Sequence, residues 1–350
     1  MNTAAVEKIA NAVLYEGYML YPYRPSAVKN RQRFNFGVVC PQSYSAAQKG
    51  SDPWIMQIEC LVQGFAECPL EIRLRFLQLV ARSVEKKLAH THTNETSFAP
   101  VRILEVDGQK LYSWEEAVER EVAVPLTTLG ELLRLPQRHP IRSAPSEVLE
   151  ALLDDKGAIA GRFVRRQCAI DGTLYAAVHP VAEGVYRMVV RVKNSTPMDD
   201  PEGATREQAL MHSLVSAHII LGIGGGEFSS LLDPPEALRE AAAACRNIGA
   251  FPVLAGEEGQ RDTILASPII LYDYPQIAPE SAGDLFDGAE IDEILSLRIL
   301  TLTDEEKREM RQSDQRARQV LERTEAMPEE QLMKLHGVLR GLRPLKEGSR

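Results

Sequence analysis

The stretch LEIRLRF, Leu70 to Phe76, alternates large apolar side chains with charged ones at every second position. Successive side chains of a strand point to opposite faces, so Leu70, Ile72, Leu74 and Phe76 line one face and Glu71, Arg73 and Arg75 the other. The stretch VYRMVVRVK repeats the pattern, with Tyr186, Met188, Val190 and Val192 set against Arg187, Val189, Arg191 and Lys193. Both read as half-buried antiparallel strands. This period-two signal runs from about Trp54 to Gly222. Within it, Asp107-Gly108 and Asp171-Gly172 each stand between β-like flanks, the pairing that two-residue hairpin turns favour. Ser113 to Val122 (SWEEAVEREV) and Pro145 to Asp154 (PSEVLEALLDD) switch to helical spacing. The expected fold is α+β: a largely antiparallel β-sandwich-like domain with helical insertions and a C-terminal helical extension.

The chain divides into three regions: residues 1–50, a helix and an extended Tyr/Arg-rich arm; residues 51–275, the β-rich core; residues 276–350, an acidic loop and helices. Val6, Ile9, Ala10, Val13 and Leu14 recur at helical spacing and Gly17 comes next, which predicts an amphipathic N-terminal helix. The prolines of Tyr21-Pro22-Tyr23-Arg24-Pro25 push their predecessors out of the helical region and predict an extended arm. DPPEALREAAAACRNIG predicts a full helix, with Asp233 as N-cap, Pro234 at the first helical position, Glu236 completing the box and Gly249 beyond the end. ASPIILYDY reads as a buried strand. Thr303 and Glu306 form a second capping box for a charged helix running towards Met327. In the last helix Leu332, Leu335, Leu339 and Leu342 form a coiled-coil-like stripe, too short to stand alone and therefore needing a docking surface.

With 49 acidic against 40 basic residues and a net charge of −9, the chain as a whole is unsuited to nucleic acid or anionic membrane. No apolar run reaches the length of about 20 residues that a membrane helix needs, and the N-terminus lacks the basic-then-apolar order of a secretory signal. A cytoplasmic protein is expected. The five cysteines include no CxxC pair and are expected to be reduced. Gly222, Gly224, Gly225 and Gly226 succeed a β-like run, but no helix start comes directly after them and no P-loop lysine is present, so a turn is the plainer reading. His90 and His92 supply two ligand-type residues on one strand face, which His212, His218 or a distant cysteine would have to complete; solvated loop histidines are the plainer reading. Asp284, Asp287, Glu290, Asp292 and Glu293 are hard-cation donors in a pattern unlike an EF-hand; a solvated acidic surface is the alternative. No nucleophile elbow is present, and no cofactor or metal is expected.

The arm itself admits three readings. Tyr15, Tyr18, Tyr21 and Tyr23, followed by Arg24, Arg31 and Arg33, are residue types that anchor protein interfaces. They also stack single-stranded nucleic acid, which the acidic chain disfavours, or pack an N-terminal arm over a core. These residues and the Leu332, Leu335, Leu339 and Leu342 stripe are the candidate partner-binding set.

The strings LYEGYMLYPYRPSAVKNRQRFNFGVVCP, SLLDPPEALREAAAACRNIGAFPVL and ASPIILYDYPQIAPESAGDLFDGAEIDEILSLRILTLTDEEKREMR carry a resemblance. Together they resemble a bacterial family, without an assigned activity, whose genes lie in the accessory clusters of uptake nickel-iron hydrogenases. The resemblance covers most of the chain, the middle least distinctively. It implies a non-enzymatic cytosolic accessory or scaffold role in assembly, maturation or stabilisation of a hydrogenase. The partner would be a hydrogenase subunit or maturation factor. The lack of a His-rich tract, CxxC site or P-loop favours protein contact over metal delivery. An enzyme, such as a metal-dependent hydrolase using Asp273, Asp284 and Asp287, is the alternative.

Overall fold

A computed structural model describes residues 3–16, 18, 21–24, 27, 35–88, 97–276, 292–313 and 315–328. Its organising element is β2, Pro69–Lys87, which continues LEIRLRF without a Gly, Pro, Asn or Asp to interrupt it after Pro69. On one edge β2 pairs antiparallel first with β13 (Val215–Ile223) and then with β10 (Ile159–Gln167). On the other it takes β7 (Thr127–Thr128), β6 (Trp114–Ala123) and β3 (Phe98–Val101). Strands β16 (Thr263–Ser267) and β15 (Phe251–Leu254) extend this nine-stranded sheet beyond β13, and β9 (Ser146–Leu153) extends it beyond β10.

The second sheet has the order β14 (Glu227–Ser229), β1 (Ile55–Gln63), β12 (Val185–Asn194), β11 (Ile170–Ala182), β8 (Gln137–Ser143). A separate hairpin joins β4 (Ile103–Val106) to β5 (Gln109–Tyr112) through Asp107-Gly108, both with positive φ, as the sequence predicts. Strands β8–β9 and β10–β11 form one long ribbon that passes from sheet to sheet at residues 144–145 and 168–169.

The alternating faces explain the layers. Leu70, Ile72, Leu74 and Phe76 of β2 and Ile219, Leu221 and Ile223 of β13 meet Ile58, Cys60, Leu174, Val190 and Val192 of the second sheet in one apolar core. The opposite face of the larger sheet is covered by helices. Helix α1 (Thr3–Tyr15) buries Val6, Ile9, Ala10 and Val13 against Ile220 and Leu265, the stripe expected from sequence. Leu77 and Leu79 of β2 are covered by Tyr15, Tyr18 and Tyr23 of the arm. They are also covered by Leu295, Ile299, Met310, Val320 and Leu321 of α6 (Asp292–Leu300), α7 (Asp304–Ser313) and α8 (Gln315–Glu325). The N-terminal arm and helices α6–α8 thus share one cluster. The remaining short helices, α2 (Gln42–Ala47), α3 (Leu129–Arg134), α4 (Arg206–Leu210) and α5 (Arg239–Ala243), sit in connections. All five cysteines are free. Among the described residues no helix is long and apolar enough to cross a membrane.

Several local expectations are corrected. The expected helix at Ser113–Val122 is instead occupied by strand β6, Trp114–Ala123: beside β2, Val122 turns to the core while Glu115, Glu119 and Glu121 take the other face. The expected helix at Pro145–Asp154 is instead strand β9, Ser146–Leu153, drawn into pairing by β10. Asp171-Gly172 is not a turn but lies inside β11; a Cβ on Gly172 would stand 2.6 Å from the Lys193 carbonyl oxygen, so its glycine marks a close strand approach.

DPPEALREAAAACRNIG shortens to a 3₁₀ turn at Glu236–Leu238 and the five residues of α5, because the edge of β1 captures Arg246, Asn247 and Ile248. Ile248 N–H donates to the Gln57 carbonyl (2.8 Å), Arg246 N–H to the Glu59 carboxylate (3.0 Å), and Asn247 Oδ1 accepts from Glu59 N–H (2.8 Å). Of ASPIILYDY, Ala266-Ser267 is strand and the rest leaves the sheet, with Ile270 and Tyr272 exposed. The Thr303/Glu306 capping box forms as expected, but α7 and α8 fold back so that Arg311 and Lys307 both reach Glu325. Tyr21-Pro22 makes a turn instead of running extended, and Tyr23 has φ 56°.

Candidate protein-contact surface

The arm residues of the partner-binding set are engaged within the molecule. Tyr15, Tyr18 and Tyr23 are buried, Tyr15 and Tyr18 in an edge-to-face pair with ring centroids 6.2 Å apart. Tyr15 Oη donates to the Glu119 carboxylate (2.9 Å) and Tyr18 Oη to the Glu115 carbonyl (3.0 Å). Half-buried Tyr21 stacks edge-on to Tyr23 and lies under the Arg298 guanidinium. Arg24 reaches Glu306 at 2.9 Å and Glu309 at 3.7 Å on α7. Glu119, beside Tyr15, also receives Arg316 (2.5 Å) and Arg75 (3.4 Å). Burial alone would raise its carboxyl, but the bonds from Arg316 and Tyr15 outweigh burial and hold it below the ordinary value. Burial and this same carboxylate push the Tyr15 hydroxyl upward. Arg31, Arg33, Leu332, Leu335, Leu339 and Leu342 lie outside the described residues, as do His90, His92, Asp284, Asp287 and Glu290. Asp292 and Glu293 open α6.

The glycine run connects β13 to β14 as a turn, with Gly225 at φ 69° and no helix beginning after it. It packs beneath the loop between β1 and β2. A Cβ on Gly64 would stand 3.5 Å from Gly226 Cα, and Cys68 Sγ donates to the Gly225 carbonyl (3.3 Å). That loop is tied to its neighbours: Gly64 N–H donates to Gly184 O (3.1 Å), and Gly130 N–H at the start of α3 donates to Ala66 O (2.8 Å). Helix α3 is itself held by a complete capping box between Thr128 and Glu131.

On this bonded framework, at one end of the sandwich, stand four large apolar side chains turned outward: Phe65 (76% exposed), Leu126 (79%), Leu135 (70%) and Leu133 (38%). Leu129 and Leu132 of the same helix are buried, so the exposure of its neighbours is not for want of a core. Glu67, Glu131 and Arg134 give the area polar company. Sequence reading missed this surface, because single apolar residues beside a Gly, a Pro or on a one-turn helix look the same whether they point in or out. Among the described residues, no three His, Cys, Asp or Glu side chains converge as metal ligands would. Asp273 is used as a tie, its carboxylate accepting from Ser230 Oγ (2.5 Å) and from Leu254 N–H (2.8 Å). No protein-family model matches the chain, and no curated protein matches it.

Proposed function

We propose that the protein is a non-enzymatic, cytosolic accessory or scaffold protein that acts by protein–protein contact. The observation that supports this reading is the rigidly backed apolar surface of Phe65, Leu126, Leu133 and Leu135. A partner can bury exposed aromatic and aliphatic anchors at little ordering cost when their framework need not reorganise. That the partner is a nickel-iron hydrogenase subunit or maturation factor, and the step its assembly, maturation or stabilisation, rests on the sequence resemblance. The hydrolase alternative has less behind it, since Asp273 already spends both carboxylate oxygens on the fold.

The test replaces Phe65 and Leu135 with serine and compares capture of hydrogenase subunits from the native host with that of the wild type. The double variant should keep its thermal midpoint and weaken capture by about 30-fold or more, as loss of interface anchors does. Equal capture by a folded variant would remove this surface from the proposal. Wild-type protein that captures no hydrogenase component would remove the hydrogenase.

A further inference from the structure

Every sheet has edges, and most of those in this protein are guarded against pairing. Strands β14 and β15 are only three and four residues long. Strand β8 carries Pro140 between Arg138 and Arg142, and β6 carries Glu115, Glu116, Glu119, Glu121 and Arg120. Short length, proline and charge are the usual means of keeping an edge from pairing with another chain. Strand β9, SEVLEALL, is eight residues long, has no proline and carries only two charges, Glu147 and Glu150. It pairs with β10 on one side and with no other described strand. Val148, Leu149 and Leu153 are all more than half exposed.

Its two acids are neutralised from behind, Glu147 by Arg166 (2.6 Å) and Glu150 by Arg165 (2.5 Å). The edge therefore presents exposed apolar side chains on both faces and backbone groups with no strand partner among the described residues, without a net repelling charge.

We propose that β9 is the seam of a homodimer, pairing antiparallel with β9 of a second copy about a twofold axis at Leu149, so that one sheet runs through both chains. The occupant is argued from the strand's complementarity to itself. Centred on Leu149, the register sets Leu149 against its own copy, Val148 against Glu150, Glu147 against Ala151 and Ser146 against Leu152. No like charges stand opposite each other. Centring on Glu150 would oppose two carboxylates, and centring on Ala151 would shorten the overlap to Leu149–Leu153. A peptide from another protein would gain specificity from side-chain pockets beside the edge, and neither the groove at Val39 and Gly249 nor the one at Cys168 and His212 is lined by a β9 residue. This seam lies on a different surface from Phe65 and Leu135, so the inference stands or falls independently of the proposed function.

The full chain should show a concentration-dependent rise from monomer to dimer mass by light scattering between about 1 and 200 µM, because a single strand pair is a small interface. Leu149→Lys sets two ammonium groups across the axis and should remain monomeric throughout while keeping its thermal midpoint. Leu149→Cys should form a disulfide between chains on mild oxidation, since opposed residues on paired strands approach within about 5.5 Å at Cβ. A wild type that is monomeric at the highest concentration overturns the proposal and leaves the edge to an extended segment of some other protein. A dimer that survives Leu149→Lys, or one in which Leu149→Cys does not cross-link, overturns it equally.

Discussion

His218 lies fully buried on the outer face of the larger sheet, opposite Arg75. Its Nδ1–H donates to the Ser216 carbonyl (3.0 Å), while Nε2 has no hydrogen-bond partner among the described residues. A proton on Nε2 would have no acceptor there. Burial pushes the imidazole down to about 4; the Ser216 carbonyl opposes this and Arg75 adds to it. The folded value lies below that of the unfolded chain, so the unfolded state takes up the proton first on acidification. Stability should be whole above about pH 6.5 and fall by on the order of 3 kcal/mol as pH drops towards 4. Denaturant midpoints across this range, compared between wild type and His218→Leu, check it; an unchanged pH slope in the variant would sink the account. Gly172→Ala should cost about 1–3 kcal/mol, because the clash is with the Lys193 backbone rather than a movable side chain. Thermal denaturation reads the loss, and an unshifted midpoint would mean that the strands separate easily.

At the scale of elements, the clamp at Glu119 joins the end of α1 through Tyr15, strand β2 through Arg75 and helix α8 through Arg316. Removing its carboxylate takes an acceptor from a buried tyrosine hydroxyl and one ion-pair partner from each of two guanidinium groups. Glu119→Ala is therefore expected to destabilise by about 1–3 kcal/mol, with Glu119→Gln recovering part of this. Chemical denaturation distinguishes this from the near-zero effect typical of an exposed ion pair. The elements also show where sequence reading is reliable. LEIRLRF, VYRMVVRVK, the α1 stripe and the Thr303 capping box were legible because period and caps act over a few residues and agree with their surroundings. SWEEAVEREV and PSEVLEALLDD have helix-compatible spacing, yet each lies beside a strand with open hydrogen-bonding groups. Pairing there satisfies the facing backbone groups of both strands, which outweighs a helix propensity of tenths of a kcal/mol per residue.

For the whole molecule, the decisive feature is that the N-terminal arm and helices α6–α8 cover the same face of β2. A chain ending before Asp292 loses Leu295, Ile299, Met310, Val320 and Leu321 from one cluster and lays bare Leu77, Leu79, Tyr15, Tyr18 and Tyr23. It should bind a hydrophobic dye and lose cooperative unfolding, each buried aliphatic or aromatic side chain contributing roughly 1.5–3 kcal/mol; full retention of the melting transition would show the helices to be dispensable. The arm illustrates the division between local and distant information. Its tyrosines and arginines are interface-type residues in any sequence. Whether they face a partner or the protein's own helices depends on α6–α8, nearly 300 positions away in the chain. The same holds for Phe65 and Leu135, whose exposure results from where α3 and the glycine turn dock. Strand periodicity, helix caps and the Asp107-Gly108 turn arise from the chain itself, since they depend on backbone sterics and neighbours within a few residues. Pairing partners, buried faces and the surfaces left open depend on contacts between distant segments, and no local spacing encodes which of two energetically close states those contacts will select.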